Sequence, residues 1–206
     1  MSFLEDSKIL TNEEIAKNYM MLEFKSHNIA KKALPGQFVH ISLNDKVNNK
    51  SAANDPLLRR PFSISDVDVE RGIVKIFYKI VGRGTFLLSK KLKGEVLSIM
   101  GPLGKGFAIR KDAARAAIVA GGIGAAPMLF LLKRLIEEGI KVDFYLGALT
   151  KNEVLLIDEI KHLAKVHVST DDGSLGKKGR ITDLLRENLK NVDIVYTCGP
   201  KPMIKK

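Results

Sequence analysis

Four short segments hold the residues best suited to chemistry: Arg60-Pro61-Phe62-Ser63, Gly82-Arg83-Gly84-Thr85, Gly121-Gly122-Ile123-Gly124-Ala125-Ala126-Pro127 and Cys198-Gly199-Pro200. None is an acid–base pair, a metal-ligand cluster or a nucleophile with a neighbouring base. Two are glycine turns at the start of an expected helix, where small residues let backbone amides approach an anion and the helix end adds partial positive charge. A bare strand-to-helix turn, with Pro127 in the first helical turn, explains the longer one equally well, and its spacing is not G-x-G-x-x-G. Thr85 adds a hydroxyl to the other turn and Arg83 a charge, although a capped barrel turn has the same composition. Arg60 is able to grip a phosphate with two donors, and the Ser63 hydroxyl to bond the polar edge of a flat ring. The same arginine also suits a strand start, where Pro61 is tolerated.

The Cys198 segment and one further segment follow expected strand ends, where ligands of open α/β sheets bind. Cys198 is either a small buried group or part of a redox lining, and with no His or second Cys nearby it has no nucleophilic or metal role. In Ser169-Thr170-Asp171-Asp172-Gly173, an acidic side chain suits ribose hydroxyls and repels a 2′-phosphate, favouring NAD over NADP. Lys177, Lys178 and Arg180 weaken that preference.

These groups must be positioned by two kinds of element. Up to residue 108, short apolar runs at 19–24, 37–43, 62–67, 73–81 and 95–100 are separated by Gly, Asn, Asp and Pro, which favours a small antiparallel barrel or sandwich. In the run 74–80, Val74, Ile76, Tyr78 and Ile80 alternate with two lysines, as in a half-buried strand. The polar stretch 44–51 reads as a surface loop. From about residue 112 strands alternate with helices: strands at 116–120, 142–146, 166–169 and 192–197, a helix carrying Met128, Leu131, Leu132, Leu135 and Ile136, and another carrying Ile181, Leu184, Leu185 and Leu189. Thr150 and Glu153 offer a capping box for a helix running to about residue 163. This order implies a parallel sheet with helices on both faces. The expected fold is thus a two-domain α+β chain, an antiparallel β-barrel (1–108) followed by a doubly wound α/β domain (109–206).

Composition bounds the alternatives. The 206 residues are 45% hydrophobic and 28% charged, and no run approaches a membrane span. A soluble cytoplasmic protein is expected, with one cysteine, no disulfide and no secretory signal at the acidic N-terminus. The formal charge of +11 comes from scattered lysines and arginines without interleaved aromatics, so neither nucleic acid nor membrane is expected as partner.

Taken in order, Pro35-Gly36-Gln37-Phe38, Leu58 to Ile64, Phe77-Tyr78-Lys79, Gly84-Thr85, Gly101 to Phe107, Gly121 to Pro127, Thr170 to Ser174 and Cys198 to Met203 resemble the ferredoxin-reductase-like flavoproteins. More closely, they resemble the electron-transfer subunits of type 1B dihydroorotate dehydrogenases. The resemblance implies FAD contacts at Arg60, Pro61, Phe62, Ser63, Phe77, Tyr78, Lys79, Gly84 and Thr85. It implies NAD contacts at Gly121, Gly122, Gly124, Ala125, Asp171, Asp172, Cys198, Gly199 and Pro200. No side-chain acid or base is required, since the flavin performs the chemistry at the junction of the two domains. Phe62 stands where many relatives have a tyrosine; stacking survives the change, but a hydroxyl contact is lost.

The implied function is electron transfer between an FMN-containing dihydroorotate-oxidising catalytic subunit and NAD, within a heterotetramer of pyrimidine biosynthesis. A related FAD subunit of a sulfide dehydrogenase or a ferredoxin:NAD(P) oxidoreductase, and a non-enzymatic basic module on a degenerate reductase scaffold, are the alternatives. The family also carries a [2Fe-2S] centre on four cysteines. With Cys198 alone this chain has no ligand set for it, which suggests a fragment or an unusual member.

Overall fold

The computed structural model describes residues 1–43, 57–189 and 191–205; the stretch 44–51 lies outside them. The chain divides into two compact units, Met1–Gly106 and Phe107–Lys206.

Among the described residues, the first unit is an antiparallel sheet of seven strands: β1 (Phe3–Ala16), β2 (Tyr19–Lys25), β3 (Phe38–Ile41), β4 (Arg60–Ser63), β5 (Asp66–Asp68), β6 (Ile73–Lys79) and β7 (Val96–Leu103). Two short helices, α1 (His27–Lys32) and α2 (Arg83–Ser89), accompany it. The strand order is β4-β3-β7-β1-β2-β6-β5, so the two outermost strands are consecutive in sequence. Only Ile64 and Ser65 join them, a reach of about 10 Å, which forces the sheet to curl until its edges meet. The linker is pinned to both sides: the Ile64 amide donates to Gln37 O at 3.0 Å and the Ser65 amide to Lys75 O at 2.9 Å. The run 62–67, expected as one strand, is therefore broken in two at the point where the barrel closes.

β1 escaped the sequence reading. Its first half pairs with β7 (Phe3↔Gly101 to Lys8↔Val96) and its second half with β2, with register shifts at Ile9/Thr11 and Glu14/Ala16. Only Ser7 and Ile9 of its fourteen residues are buried, so pairing rather than an apolar pattern makes it a strand. In β6 the expected alternation is half right. Val74, Ile76 and Tyr78 face the core, but Ile73 and Phe77 on the lysine side are also buried, and Phe77 stacks on Tyr19 at 5.8 Å.

The second unit is a parallel sheet ordered β11-β10-β9-β8-β12, from β8 (Arg115–Gly121), β9 (Lys141–Ala148), β10 (Lys165–Thr170), β11 (Lys177–Lys178) and β12 (Ile194–Cys198). The helix α3 (Ala125–Glu137) packs on β8, β9 and β12, and α5 (Ile181–Asn188) on β8, β9 and β10. On the α5 face, Ala117, Val119, Tyr145 and Ile181 form a core with Leu184 and Leu185 against it. The expected helix from 150 to 163 does not form as one element. Thr150 makes no side-chain cap, one 3-10 turn spans Lys151–Glu153, and α4 (Ile157–Lys161) begins only after Leu156 at φ 60°. Two forces compete with the cap: Ser174 Oγ accepts the Lys151 amide at 2.8 Å, and Val154, Leu155 and Leu156 are drawn into the core. A short helix, α6 (Lys201–Ile204), follows β12.

Candidate functional site

In the first unit, alternation along β4 sorts the residues expected to hold a flavin. Phe62 points inward, 7% exposed, with its ring edge-on to Tyr78 at 5.6 Å. Pro61 and Ser63 are exposed on the opposite face. The neighbouring arginines divide labour. Arg59 is fixed to β7 by bonds from Nη1 to Ser98 O at 2.7 Å and from Nη2 to Ser98 Oγ at 2.8 Å. Arg60 lies across the first turn of α2: a Cβ added at Gly84 would sit 3.2 Å from Arg60 Cγ and 3.3 Å from its Nε. The absence of a side chain at 84 thus lets a guanidinium lie beside a helix start, and the Gly84 amide there has no intrahelical acceptor. Both groups are donors, which suits the pyrophosphate of a dinucleotide.

Thr85 shapes this turn. Its hydroxyl oxygen accepts from the Val81 amide at 2.9 Å and the Gly82 amide at 3.2 Å, and its proton goes to Gly82 O at 3.0 Å. The other end of α2 is held by a residue that sequence reasoning missed. Asn12 Nδ2 donates to Leu88 O at 2.8 Å and Lys91 O at 2.9 Å, while its Oδ1 accepts from Tyr78 Oη at 3.0 Å. An asparagine inside a strand, where that residue type is disfavoured, was the available signal. Burial pushes the Tyr78 phenol well above its ordinary range, with the Asn12 bond a smaller opposing influence. The side chains of Phe77 and Tyr78 are therefore core groups, and Lys79 Nζ lies 4.8 Å from the Tyr19 ring.

In the second unit the strand order reverses at β8: β9 and β10 continue on one side and β12 lies on the other. Ligands of open α/β sheets bind at the carboxyl ends of the strands at such a switch point. There the structure brings two glycine segments together. A Cβ at Gly124 would lie 2.3 Å from Cys198 O, one at Gly121 would meet Met203 Sδ at 2.8 Å and Pro200 Cδ at 3.0 Å, and one at Gly199 would meet Met203 Cε at 2.6 Å. These three glycines let the backbones after β8 and β12 touch. Gly122 differs: its φ is +53° and a Cβ there would meet nothing within 4 Å, so it borders open space. Ala125 is buried, and its amide already donates to Gly122 O and Ile123 O, closing the turn.

Asp171 and Asp172 follow β10 at the same end of the sheet. Asp172 folds its own turn, Oδ1 accepting from Ser174 Oγ at 2.6 Å and the Ser174 amide at 2.9 Å. The Ser174 hydroxyl and then its amide hold the Asp172 carboxyl below the ordinary range. Asp171 is exposed, its amide bonded to Ala148 O at 3.1 Å. Of the basic residues nearby, Lys177 is paired with Glu187 and Lys178 lines Gly173. Burial pushes the Cys198 thiol up, keeping it protonated at neutral pH.

A donor cradle in the first unit and an open glycine turn at the switch point of the second fit two dinucleotides. A four-cysteine cluster does not fit this sequence, whose one cysteine is Cys198. Among the described residues no three His, Cys, Asp or Glu side chains converge on a metal position, and no helix is long and apolar enough to cross a membrane.

Residues 118–206 match the family model of the oxidoreductase NAD-binding domain. Over 208 residues the chain is 39% identical to the dihydroorotate dehydrogenase B (NAD(+)) electron transfer subunit of Desulforamulus reducens, covering all of this chain and 77% of that one. Against the same subunit of Geobacillus kaustophilus it is 38% identical over 203 residues, 98% of this chain and 76% of that one. Among solved structures, the NADH-dependent reduced ferredoxin-NADP oxidoreductase, described for flavin-based electron bifurcation, superposes with a TM-score of 0.83 at 31% identity, over 97% of this chain and 69% of that one. The ferredoxin reductase of carbazole 1,9a-dioxygenase, at 21% identity and a TM-score of 0.79 over 99% of this chain and 63% of that one, shares the fold. With this fold, these two cradles and that identity along its whole length, the chain belongs to the family of dihydroorotate dehydrogenase B electron transfer subunits, oxidoreductase subunits of ferredoxin-reductase-like fold that work with FAD and NAD.

Proposed function

We propose that this chain passes electrons between NAD and an FMN-containing, dihydroorotate-oxidising catalytic subunit, by way of FAD, in the de novo synthesis of pyrimidine nucleotides. The two subunits would form a heterotetramer in the cytoplasm. The observation that carries this reading is the 39% identity with such a subunit over the full chain.

FAD is assigned to the first unit and NAD to the second. Bound FAD supplies the redox chemistry, exchanging hydride with nicotinamide and passing electrons onward; the chain's residues bind and orient. Arg60 and the Gly84 amide neutralise the FAD pyrophosphate, and Thr85 keeps that turn in shape. Ser63, exposed on β4, offers a hydroxyl to the ring edge. Phe62 and Tyr78 support β4 and β6 from within the barrel, Phe77 braces the opposite face of β6 against Tyr19, and Pro61 and Lys79 lie toward the surface. On the NAD side, the turn from Gly121 to Ala125 receives the pyrophosphate at Gly122, while Gly121, Gly124 and Gly199 keep the floor low. Cys198 and Pro200 border the nicotinamide end, and Asp171 and Asp172 the adenosine ribose. No residue is assigned a proton-transfer role.

The test is reconstitution. The purified chain should bind FAD and lose its flavin absorption anaerobically with NADH, and with the FMN subunit added it should link dihydroorotate oxidation to NAD reduction. Failure to bind FAD overturns the reading. A second reading, an FAD subunit of a ferredoxin:NAD(P) oxidoreductase, draws on the structural likeness at 31% identity. It predicts instead that the FAD-loaded chain supports ferredoxin reduction in the complex and gives no turnover with dihydroorotate.

A further inference from the structure

The outer face of the barrel has an unusual composition at one place. In an antiparallel sheet directly paired residues share a face, and the ladders align Leu4 with Met100, Met100 with His40, and His40 with Pro61. This row crosses four strands, β1, β7, β3 and β4. One step along, Phe38 pairs with both Leu103 and Ser63, and the Phe38 ring touches the His40 ring at 5.4 Å. The residues alternating with these on β3, β4 and β7, namely Val39, Ile41, Phe62 and Ile99, are the buried ones, so the two rows face outward. Leu4 is 63% exposed. A solvated sheet face is ordinarily polar, and 28% of this chain is charged. Yet these two rows contain no Lys, Arg, Asp or Glu. Among the described residues, charges reappear beyond them, at Asp6 and Lys8 on β1, at Arg59 bonded to Ser98 on β7, and at Lys105.

We propose that this face is the seat of the permanently associated catalytic subunit. The inference rests on the reading of the chain as an electron transfer subunit. Two observations select that occupant. First, an apolar centre with a charged rim is the anatomy of a stable subunit interface, whereas transient electron-transfer encounters are small and polar. Second, β4 crosses the patch: Pro61 and Ser63 lie on its outer face, and Arg60 and Phe62 belong to the same strand. A subunit seated here is therefore adjacent to the segment assigned to the flavin. A specific interface buries about 800 Å² per partner, more than these side chains present, so they form its centre.

The experiment uses the FAD-loaded chain and the FMN-containing, dihydroorotate-oxidising subunit. Leu4→Glu and Met100→Lys are made separately, and FAD content, NADH-dependent dye reduction and association with that subunit are measured. The expected result is association weakened about 30-fold or more, with FAD content and dye reduction unchanged. Leu4→Glu, at an exposed strand start, keeps the test informative if Met100→Lys fails to fold. Unchanged association of either folded variant overturns the proposal. So does a wild-type dimer of this chain that both variants convert to monomer, which would make a second copy the occupant. Loss of FAD binding by the wild-type chain would instead strike the functional reading beneath it.

Discussion

At the scale of single residues, the second unit separates glycines by what lies above them. Gly124→Ala places a methyl 2.3 Å from the Cys198 carbonyl, and backbone there has nowhere to go. The expected outcome is destabilisation of about 3 kcal/mol or more, read as a lowered melting temperature or loss of soluble protein. Gly122→Ala meets no atom and keeps only the strain of a positive φ, about 1 kcal/mol. It should fold, and its effect should appear as a raised KM for NADH. Equal effects of the two on stability would show the sorting to be wrong. Cys198 makes a different prediction: with its thiol pushed up by burial, its alkylation rate should stay low at neutral pH and rise only at more alkaline pH than for a free thiol. The glycine pattern was plain in the sequence, but not the division of roles within it. Gly121, Gly122 and Gly124 are one residue type in one turn, and what distinguishes them is the distant segment after β12: the Cys198 carbonyl over Gly124, and Pro200 and Met203 over Gly121.

At the scale of elements, α2 is placed by a side chain from β1. Asn12→Ala removes the donor to two carbonyls and the acceptor of a buried phenol, at a cost of about 2 to 3 kcal/mol. Because α2 carries Gly84, FAD affinity should fall with it, measured by titration of the flavin-free protein. Tyr78→Phe loses one of those bonds and should cost about 1 kcal/mol, with a smaller loss of FAD affinity. The parallel sheet has its own polar tie. Asp143 on β9 accepts from Arg115 Nη2 at 2.7 Å and lies 3.3 Å from His167 Nε2, and the His167 ring stacks on Tyr145 at 4.5 Å. Desolvation pushes the Asp143 carboxyl up, but the bonds from Arg115 and His167 outweigh it and hold it below the ordinary range. Its contribution is therefore present above the ordinary carboxylate value of about 4 and is lost as pH falls through the depressed one. Asp143→Asn should cost about 1 to 2 kcal/mol near neutrality, and urea melts should converge with wild type as pH falls below the ordinary carboxylate range. The βα alternation was legible because apolar runs and helical stripes repeat. β1 was not, because its polar side chains face water and its first half has its partner, β7, far along the chain.

At the scale of the whole molecule, FAD and NAD are assigned to different units. Calorimetry or a two-probe melt should then show ligand-specific responses. FAD at about a hundredfold excess over Kd should stabilise the unit Met1–Gly106 by about 2.7 kcal/mol, roughly 10 °C for a unit of this size, and NADH should act on the other. One ligand moving both transitions equally would refute the assignment. The division into two units is legible in the amino-acid sequence, where β-rich patterning gives way to strand–helix alternation near residue 110. The closure of the barrel is not, because it depends on two neighbouring strands lying at opposite edges of a sheet. That topology has a consequence during synthesis. The second half of β1 can zip onto β2 as soon as both have emerged from the ribosome, but the first half pairs with Val96–Leu103. Until that strand is made, Phe3 and Leu4 have no ladder to join, and the nascent chain carries an open strand edge through most of the translation of its first unit.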